Sequence, residues 1–405
     1  MSPRAKIALA AITLVGILAA TPALAQKKYD IGVTDTEIKV GNTMPYSGPA
    51  SVYAIIGKTF SAYFRMVNDQ GGVNGRKINF ISYDDAYSPP KTVEQVRKLV
   101  ESDEVFLLFA TLGTASNVGI QKYLNQKQIP HLFVGSGASR WGDPEHFPWT
   151  IGLQPSYRSE ARIYATYILK NFPGKTVGIL YQNDDFGKDY LVGLKDVLGD
   201  QYSKIVVSEL AFEVSVPTVD SQVVAIRTAN PDIFLNIGTP KFAAQAIKKI
   251  AEMNWHPIHI MTNVSISPAQ TLKPAGIENS TGILSSAYQM IVTDPAMEAT
   301  SGMKDFRAFM AKYYPEADKS ESGPLTAWNA GHVFVQLLKQ CGDNLTRENV
   351  MKQAANLDMT VDTYLPGIRI KTSPTDFYPI EQLQMIKFNG QTWEPFGPMI
   401  DSHQE

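Results

Sequence analysis

The fold turns on one stretch, Val67-Asn68-Asp69-Gln70-Gly71-Gly72-Val73-Asn74-Gly75-Arg76-Lys77-Ile78. Just before it, Ile56, Phe60, Tyr63, Phe64 and Val67 follow at spacings of four, three, one and three, which is one face of a helix over residues 53–68. Gly71, Gly72 and Gly75, with Asn74, tolerate positive φ and stop that helix. Residues 77–83 then alternate Ile78, Phe80 and, more weakly, Ser82, the period of a strand.

The same alternation spreads outward in both directions. Upstream, Ile38-Lys39-Val40 reads as a strand over residues 37–42, and Pro45-Tyr46-Ser47-Gly48-Pro49 forbids regular structure. Downstream, Val93, Val96, Leu99 and Val100 build a helix, and residues 105–110 form a continuous apolar run, as expected for a parallel strand covered on both faces. A helix over 114–126 and a strand over 129–134 complete this part. Helices over 156–171, 186–198, 219–228 and 242–252 then alternate with strands over 176–181, 205–210, 232–237 and 257–261. Strands interleaved with helices predict doubly wound parallel sheets in an α/β fold. Residues 303–314, 325–340 and 347–355 read as helices with little strand between them. The tail carries two β-like runs, 383–388 and 392–399, joined by Asn389-Gly390, a hairpin signal. A chain of 405 residues exceeds the roughly 250–300 over which one core grows, so two lobes are expected.

Composition narrows the function. With 44% hydrophobic and 19% charged residues the chain is globular, and 37 basic against 39 acidic residues leave no basic stripe for nucleic acid. A single cysteine, Cys341, excludes an intramolecular disulfide and a thiolate-rich metal site; six scattered histidines give no metal centre. Residues 1–25 read as a signal peptide: Arg4 and Lys6, an apolar run over 7–20, and Ala23-Leu24-Ala25 before Gln26. The run is short of the roughly 20 residues that cross a membrane, and no cysteine follows it to take a lipid. The expectation is export and cleavage near Ala25, which in a two-membrane bacterium means the periplasm.

Ligands of α/β sheets bind in the loops after the carboxyl ends of the strands. Residues 44–53, 111–116 and 135–139 are such loops, small, polar and glycine-containing. The second opens a helix whose free N–H groups can receive an anionic oxygen, with the Thr114 or Ser116 hydroxyl as a further donor; Thr114 as a simple N-cap is the alternative. Gly135-Ser136-Gly137 is no dinucleotide loop, because Arg140 stands where the third glycine belongs and Trp141-Gly142-Asp143-Pro144 is a turn. Neither a phosphate-cradling NTPase loop nor a G-x-S-x-G elbow occurs, which counts against a secreted hydrolase. His256 and His259 would lie on opposite faces of a strand, and Asp84-Asp85 and Asp184-Asp185 read as turn or capping residues. No enzyme, cofactor or metal is expected.

In Ile38-Lys39-Val40-Gly41 with Ser47-Gly48-Pro49, the 67–78 stretch, Tyr83-Asp84-Asp85 with Ser88-Pro89, and Val177–Tyr181 before Asp185-Phe186-Gly187, the chain resembles the periplasmic solute-binding proteins of ABC importers, in the branched-chain amino-acid (Leu/Ile/Val-binding) family. The resemblance implies a type I periplasmic binding protein fold: two doubly wound parallel-sheet lobes joined by three crossing segments, here 149–153, 283–288 and 365–370. The first lobe would comprise 26–152 plus 286–366, and the second 153–285 plus 367–405. It also implies ligand contacts. The ligand carboxylate would be held near Gly113, Thr114 and Ser116 and by Ser136, Gly137, Ala138 and Ser139. Tyr53 would cover it from the first lobe, and Phe186 from the second, unless Phe186 is a core residue. Thr239 and Asn263 would add contacts.

One departure bears on the ligand. Amino-acid binders of this family carry an acid after the last strand of the second lobe to pair with the ligand ammonium, and Met261-Thr262-Asn263-Val264-Ser265-Ile266 holds none. A buried ammonium without a counter-charge is costly. The expected ligand is therefore a carboxylate or neutral polar molecule without an α-ammonium, such as an aromatic or aliphatic acid or an amide; a branched-chain amino acid is the alternative. The expected partner is an ABC permease, or a receptor if the same clamp serves sensing, with the binding protein a monomer.

Overall fold

A glycine corner locks the first helix to the strand beside it. In the computed structural model, which describes residues 27–402, the Asn68 carboxamide at the end of the helix Ala54–Asp69 bonds both main-chain groups of Ile78. It donates to the carbonyl at 2.8 Å and accepts from the N–H at 2.7 Å. Gly72 has φ 76°, and a Cβ there would lie 2.1 Å from the Arg76 carbonyl oxygen, so only glycine lets the chain double back. The buried Arg76 guanidinium pairs with Asp343 at 2.5 Å and so fastens the corner to the end of the helix Gly323–Cys341. The expected signal peptide, residues 1–25, lies outside the described residues.

The strands assemble into two main sheets. The first is parallel, in the order Lys77–Asp84, Glu37–Met44, Leu107–Phe109, His131–Val134 and Thr150–Gly152. The second has seven strands, in the order Trp393–Asp401, Gln382–Phe388, Leu284–Ala287, Ile258–Met261, Ile233–Ile237, Val177–Gln182 and Val206–Phe212. Its last five are parallel, and the C-terminal hairpin adds antiparallel at the edge. The hairpin loop is set by Asn389, whose side-chain oxygen accepts from the N–H groups of Gln391 and Thr392, and by Gly390 at φ 99°. The third expected crossing, 365–370, is mostly irregular, with only Ile370–Lys371 in a two-residue strand. That crossing still lies against the second one, the Leu365 N–H donating to the Tyr288 carbonyl at 2.9 Å.

The helices after residue 300 pack on the first lobe. Tyr63 of Ala54–Asp69 meets Phe309 and Trp328, with ring centroids 6.0 and 5.6 Å away. Gly331 makes room for it, since a Cβ there would come within 2.7 Å of the ring. Beneath them, Phe109 touches Phe60 (4.9 Å), Phe64 (5.7 Å), Phe133 (6.4 Å) and Phe334 (4.4 Å), joining strand, first helix and returning helix in one aromatic cluster. Phe109→Ala should therefore cost about 3–5 kcal/mol, seen as a lower urea midpoint at unchanged slope; a loss below about 1 kcal/mol would show that this cluster does not hold the lobe.

Candidate ligand-binding site

The loops that leave the carboxyl ends of the parallel strands in both lobes converge on one narrow cavity of about 100 Å³. Leu112, Gly113 and Thr114 follow the strand Leu107–Phe109, and Gly135 follows His131–Val134. From the second lobe come Phe186, Thr239 and the segment around Asn263, each after its own strand. Gln154, directly after the first crossing, and Tyr288-Gln289, at the end of the second, complete the lining between the lobes.

Aromatic rings form much of the wall: Tyr53, Tyr87, Tyr157, Phe186 and Tyr288. Tyr87 is held by the carboxylate pair. The Asp84 side chain accepts from the Ala86 N–H and that of Asp85 from the Tyr87 N–H, both at 2.9 Å, which keeps Ala86 and Tyr87 at φ 51° and 57°. Two successive non-glycine residues at positive φ are strained, and the strain serves to aim one ring at the cavity. Gly113 answers it: at φ 103° it lets the Tyr87 ring approach to where a Cβ would stand only 2.6 Å away. Both acids thus act as turn residues, as the sequence suggests.

Of the expected contacts, Tyr53, Gly113, Thr114, Phe186, Thr239 and Asn263 line the cavity. Phe186 is also a core residue, packed edge-on against Tyr157 and Tyr190. Thr114 is not the N-cap of its helix. Gly113 holds that position with no side-chain cap, and the Thr114 hydroxyl shares a 2.7 Å hydrogen bond with Ser136.

The remaining expected contacts, Ser116, Ser136, Gly137, Ala138 and Ser139, do not line the cavity. Ser116 is buried in the first helical turn with its hydroxyl unpartnered. Ser136 lies behind Thr114, accepting from the Ala138 N–H and the Trp141 indole. Gly137 turns the loop away beneath Tyr157, its carbonyl accepting the Tyr157 N–H at 2.7 Å, and Ala138 is buried after it. The loop does grip a carboxylate, but one of the chain's own: Ser139 donates its N–H (2.6 Å) and hydroxyl (2.8 Å) to Asp189 of the second-lobe helix Asp185–Leu198.

The chain matches the periplasmic binding protein family over residues 37–392. It belongs to that family. Its members are binding proteins, not enzymes. Among curated relatives, the amino acid binding protein of Pseudomonas aeruginosa is 24% identical over 153 residues, covering 36% of this chain and 38% of that one, so the chain spans well under half of that relative. Two solved structures share the fold. A branched-chain amino acid ABC transporter protein from Thermus thermophilus with bound valine has TM-score 0.81 at 15% identity, covering 92% of this chain and 98% of that one. A solute-binding protein of an ABC transporter from Rhodopseudomonas palustris BisB5, in complex with 3,4-dihydroxybenzoic acid, has TM-score 0.75 at 18% identity, covering 91% and 98%.

The lining of this binding protein's cavity includes no Asp, Glu, Lys, Arg or His. The nearest acid to the loop after Met261 is one the sequence pattern concealed. Glu160, fully buried on the helix Tyr157–Asn171, accepts from the Asn263 N–H at 2.8 Å and from the Tyr164 and Tyr190 hydroxyls, the last at 2.7 Å. It stands behind the wall and fixes the loop. Burial, only partly offset by these donors, pushes its carboxyl up to about 7. Burial likewise raises Tyr157 to about 12, so the phenols of the wall stay protonated.

Hydrogen bonds across the gap hold the two lobes of the binding protein together. The Tyr53 hydroxyl donates to the Val264 carbonyl at 3.1 Å and the Gln270 carboxamide to the Val52 carbonyl at 3.0 Å. One flank adds the Ser139–Asp189 contact, an Arg140–Asp185 ion pair at 2.9 Å and the Tyr378 hydroxyl on the Ser139 carbonyl. A further contact is the Ser267 hydroxyl donating to Glu321 at 2.9 Å.

Two outcomes follow for variants. Asp189→Ala strands two Ser139 donors only when the lobes are shut, so the shut form should lose about 1–3 kcal/mol, seen as a larger radius in X-ray scattering of the free protein and about 5- to 150-fold weaker ligand binding; an unchanged radius and affinity would remove Asp189 as a latch. Glu160 binds its proton more tightly folded (about 7) than unfolded (4.5), so it withdraws stability as pH rises between those values, by at most about 3 kcal/mol. His131 and His259, pushed down to about 3 by burial, impose the opposite slope from about pH 3 to 6.5, so the comparison of two proteins isolates the glutamate. Relative to wild type, Glu160→Gln should gain stability from pH 4.5 to 7 in urea unfolding, and parallel curves would refute the assignment.

Proposed function

We propose that this protein captures a small solute in the periplasm, by closing its lobes over it, and delivers it to an ABC permease. We further propose that the solute is a carboxylate or neutral polar molecule without an α-ammonium group, with aromatic and aliphatic acids and amides favoured. The observation that carries this reading is the uncharged cavity wall. A zwitterionic amino acid needs an anion for its ammonium, and the acids that bond the lining from behind are already engaged: Glu160 with Tyr164, Tyr190 and Asn263, Asp85 with Tyr87 and Thr92, Asp184 with Phe186 and Gly187, and Glu321 with Ser267. A carboxylate needs only donors. The helix Thr114–Gln126 begins at the cavity without a side-chain cap, so its first N–H groups and its dipole favour an anionic oxygen there. The ligands named for the two structural relatives, valine and 3,4-dihydroxybenzoic acid, both carry a carboxylate.

Mechanistically, the open lobes admit the solute, its polar end meets the Thr114 helix, and closure brings Phe186, Thr239 and Asn263 over it. Burial from water strengthens each hydrogen bond to the anion. Both cavity walls come from one chain, so the binding unit proposed is a monomer.

Leucine and 4-methylpentanoate differ by the ammonium alone and make a matched pair. Calorimetry should show 4-methylpentanoate, benzoate or benzamide binding at least about 100-fold tighter than leucine, and Thr114→Val weakening the preferred acid by about three- to tenfold. Leucine binding as tightly as the acids would overturn the ligand class.

A further inference from the structure

Hydrogen-bonding side chains on the wall of the main cavity fall into two sets. Those of the first set are engaged by the chain itself: Thr114 with Ser136, Thr239 with Gln182, and Gln289 with Thr326 and Asn329. Neighbouring hydroxyls and a carboxamide also act on the phenols of Tyr157 and Tyr87. The second set has no partner among the described residues: the Tyr288 hydroxyl, the carboxamides of Gln154 and Asn263, and the Ser322 hydroxyl.

Within that second set Tyr288 stands apart. Gln154, Asn263 and Ser322 are half-buried, so water can reach them, whereas Tyr288 is only 9% exposed. Buried hydroxyls are nearly always hydrogen-bonded, and one left unpaired forfeits the solvation it gave up. Nor is the residue free to seek a partner elsewhere. Its ring packs edge-on against Tyr364 at a centroid distance of 5.6 Å, and its carbonyl accepts the Leu365 N–H, which fixes it between the second and third crossings. Burial keeps the phenol in its protonated form, able both to donate and to accept.

We infer that Tyr288 is a specificity-determining residue whose hydroxyl bonds a second, uncharged oxygen of the solute, so that the solute is a hydroxy- or oxo-substituted acid or amide. The inference rests on the ligand class proposed above and refines it. The wall carries no charged side chain, and a second carboxylate beside Tyr288 would find too few donors, so this oxygen is neutral. A methyl group in its place would leave the phenol stranded when the lobes close, and the site would discriminate against hydrocarbon isosteres. The rival partner is water. Tyr288 and Tyr364 both line a smaller space of about 40 Å³, and roughly 10–15 Å³ takes one molecule. Water held there would satisfy the phenol whatever the solute.

Calorimetry on the mature protein tests this with pairs in which an oxygen replaces a methyl group of similar size: 4-oxopentanoate against 4-methylpentanoate, and 3- and 4-hydroxybenzoate against 3- and 4-methylbenzoate. In at least one pair the oxygen-bearing member should bind at least about tenfold tighter to wild type, and in Tyr288→Phe that gap should close to within about threefold. Urea unfolding of the free variant should match wild type, because the hydroxyl removed leaves no partner behind. A lowered midpoint would assign the hydroxyl to a held water and overturn the inference. No gap in any pair, or a gap that survives in Tyr288→Phe, likewise overturns the role of Tyr288 and leaves the ligand class standing. If leucine binds as tightly as every acid of the panel, the ligand class falls, and the inference falls with it.

Discussion

A carboxylate taken out of water must be met by donors, and this chain meets nearly all of its buried carboxylates without a cation. Glu160 is held by two phenols and one peptide N–H, Asp85 by the Tyr87 N–H and the Thr92 hydroxyl, Asp184 by the N–H groups of Phe186 and Gly187, and Asp189 by Ser139. Burial raises each of these acids, which measures how incompletely neutral donors replace water. Arg76 apart, the ion pairs of the lysines and arginines are mostly exposed. The interior of the clamp is thus built for neutral donors and acceptors, and an acid bound there would be held in the same way as the chain's own acids.

That constraint separates what the sequence displays from what it hides. The alternation of helix and strand is periodic and local, so it reads directly; so do the 67–78 corner, where glycine is required, and the Asn389-Gly390 hairpin. The cavity-lining loops read well too, because they are fixed by strand ends. Loop 136–139 looked equally fit for a ligand because its donors and its glycine are real. What no spacing reveals is that Asp189, fifty positions on, would fill it. Glu160 was hidden for a similar reason. The expected acid was sought in the loop that touches the ligand, whereas the chain places one on a helix behind that loop. Tyr87 had a visible signal in the Asp84-Asp85 pair, since two acids capping successive N–H groups imply that something after them is being aimed.

The contacts across the gap are numerous and individually weak. Hydrogen bonds such as Tyr53 to Val264 and Ser267 to Glu321 contribute about 0.5–1.5 kcal/mol each, and the partly exposed Arg140–Asp185 pair about 0–1 kcal/mol. A binding protein needs that balance. Moving a two-state clamp from 1:99 to 99:1 takes about 5.5 kcal/mol of differential affinity. If the chain's own latches supplied all of it, the lobes would shut empty and neither admit nor release a solute. Split between latches and ligand, the same energy makes closure depend on occupancy.

The raised carboxyls sharpen this division. Asp189 and Glu321 each accept a hydrogen bond across the gap, and burial pushes both carboxyls up. Each latch therefore carries a desolvation cost, offset by one or two hydroxyl or N–H donors, so neither can dominate the equilibrium. The uncharged wall leaves the decisive contribution to the solute: for the acid or amide proposed, the polar end would supply what the Thr114 helix lacks, and the apolar body would displace water from five aromatic rings. A zwitterion would add a charge that the wall has no means of answering, and the clamp would gain least from the ligand it is least able to hold shut.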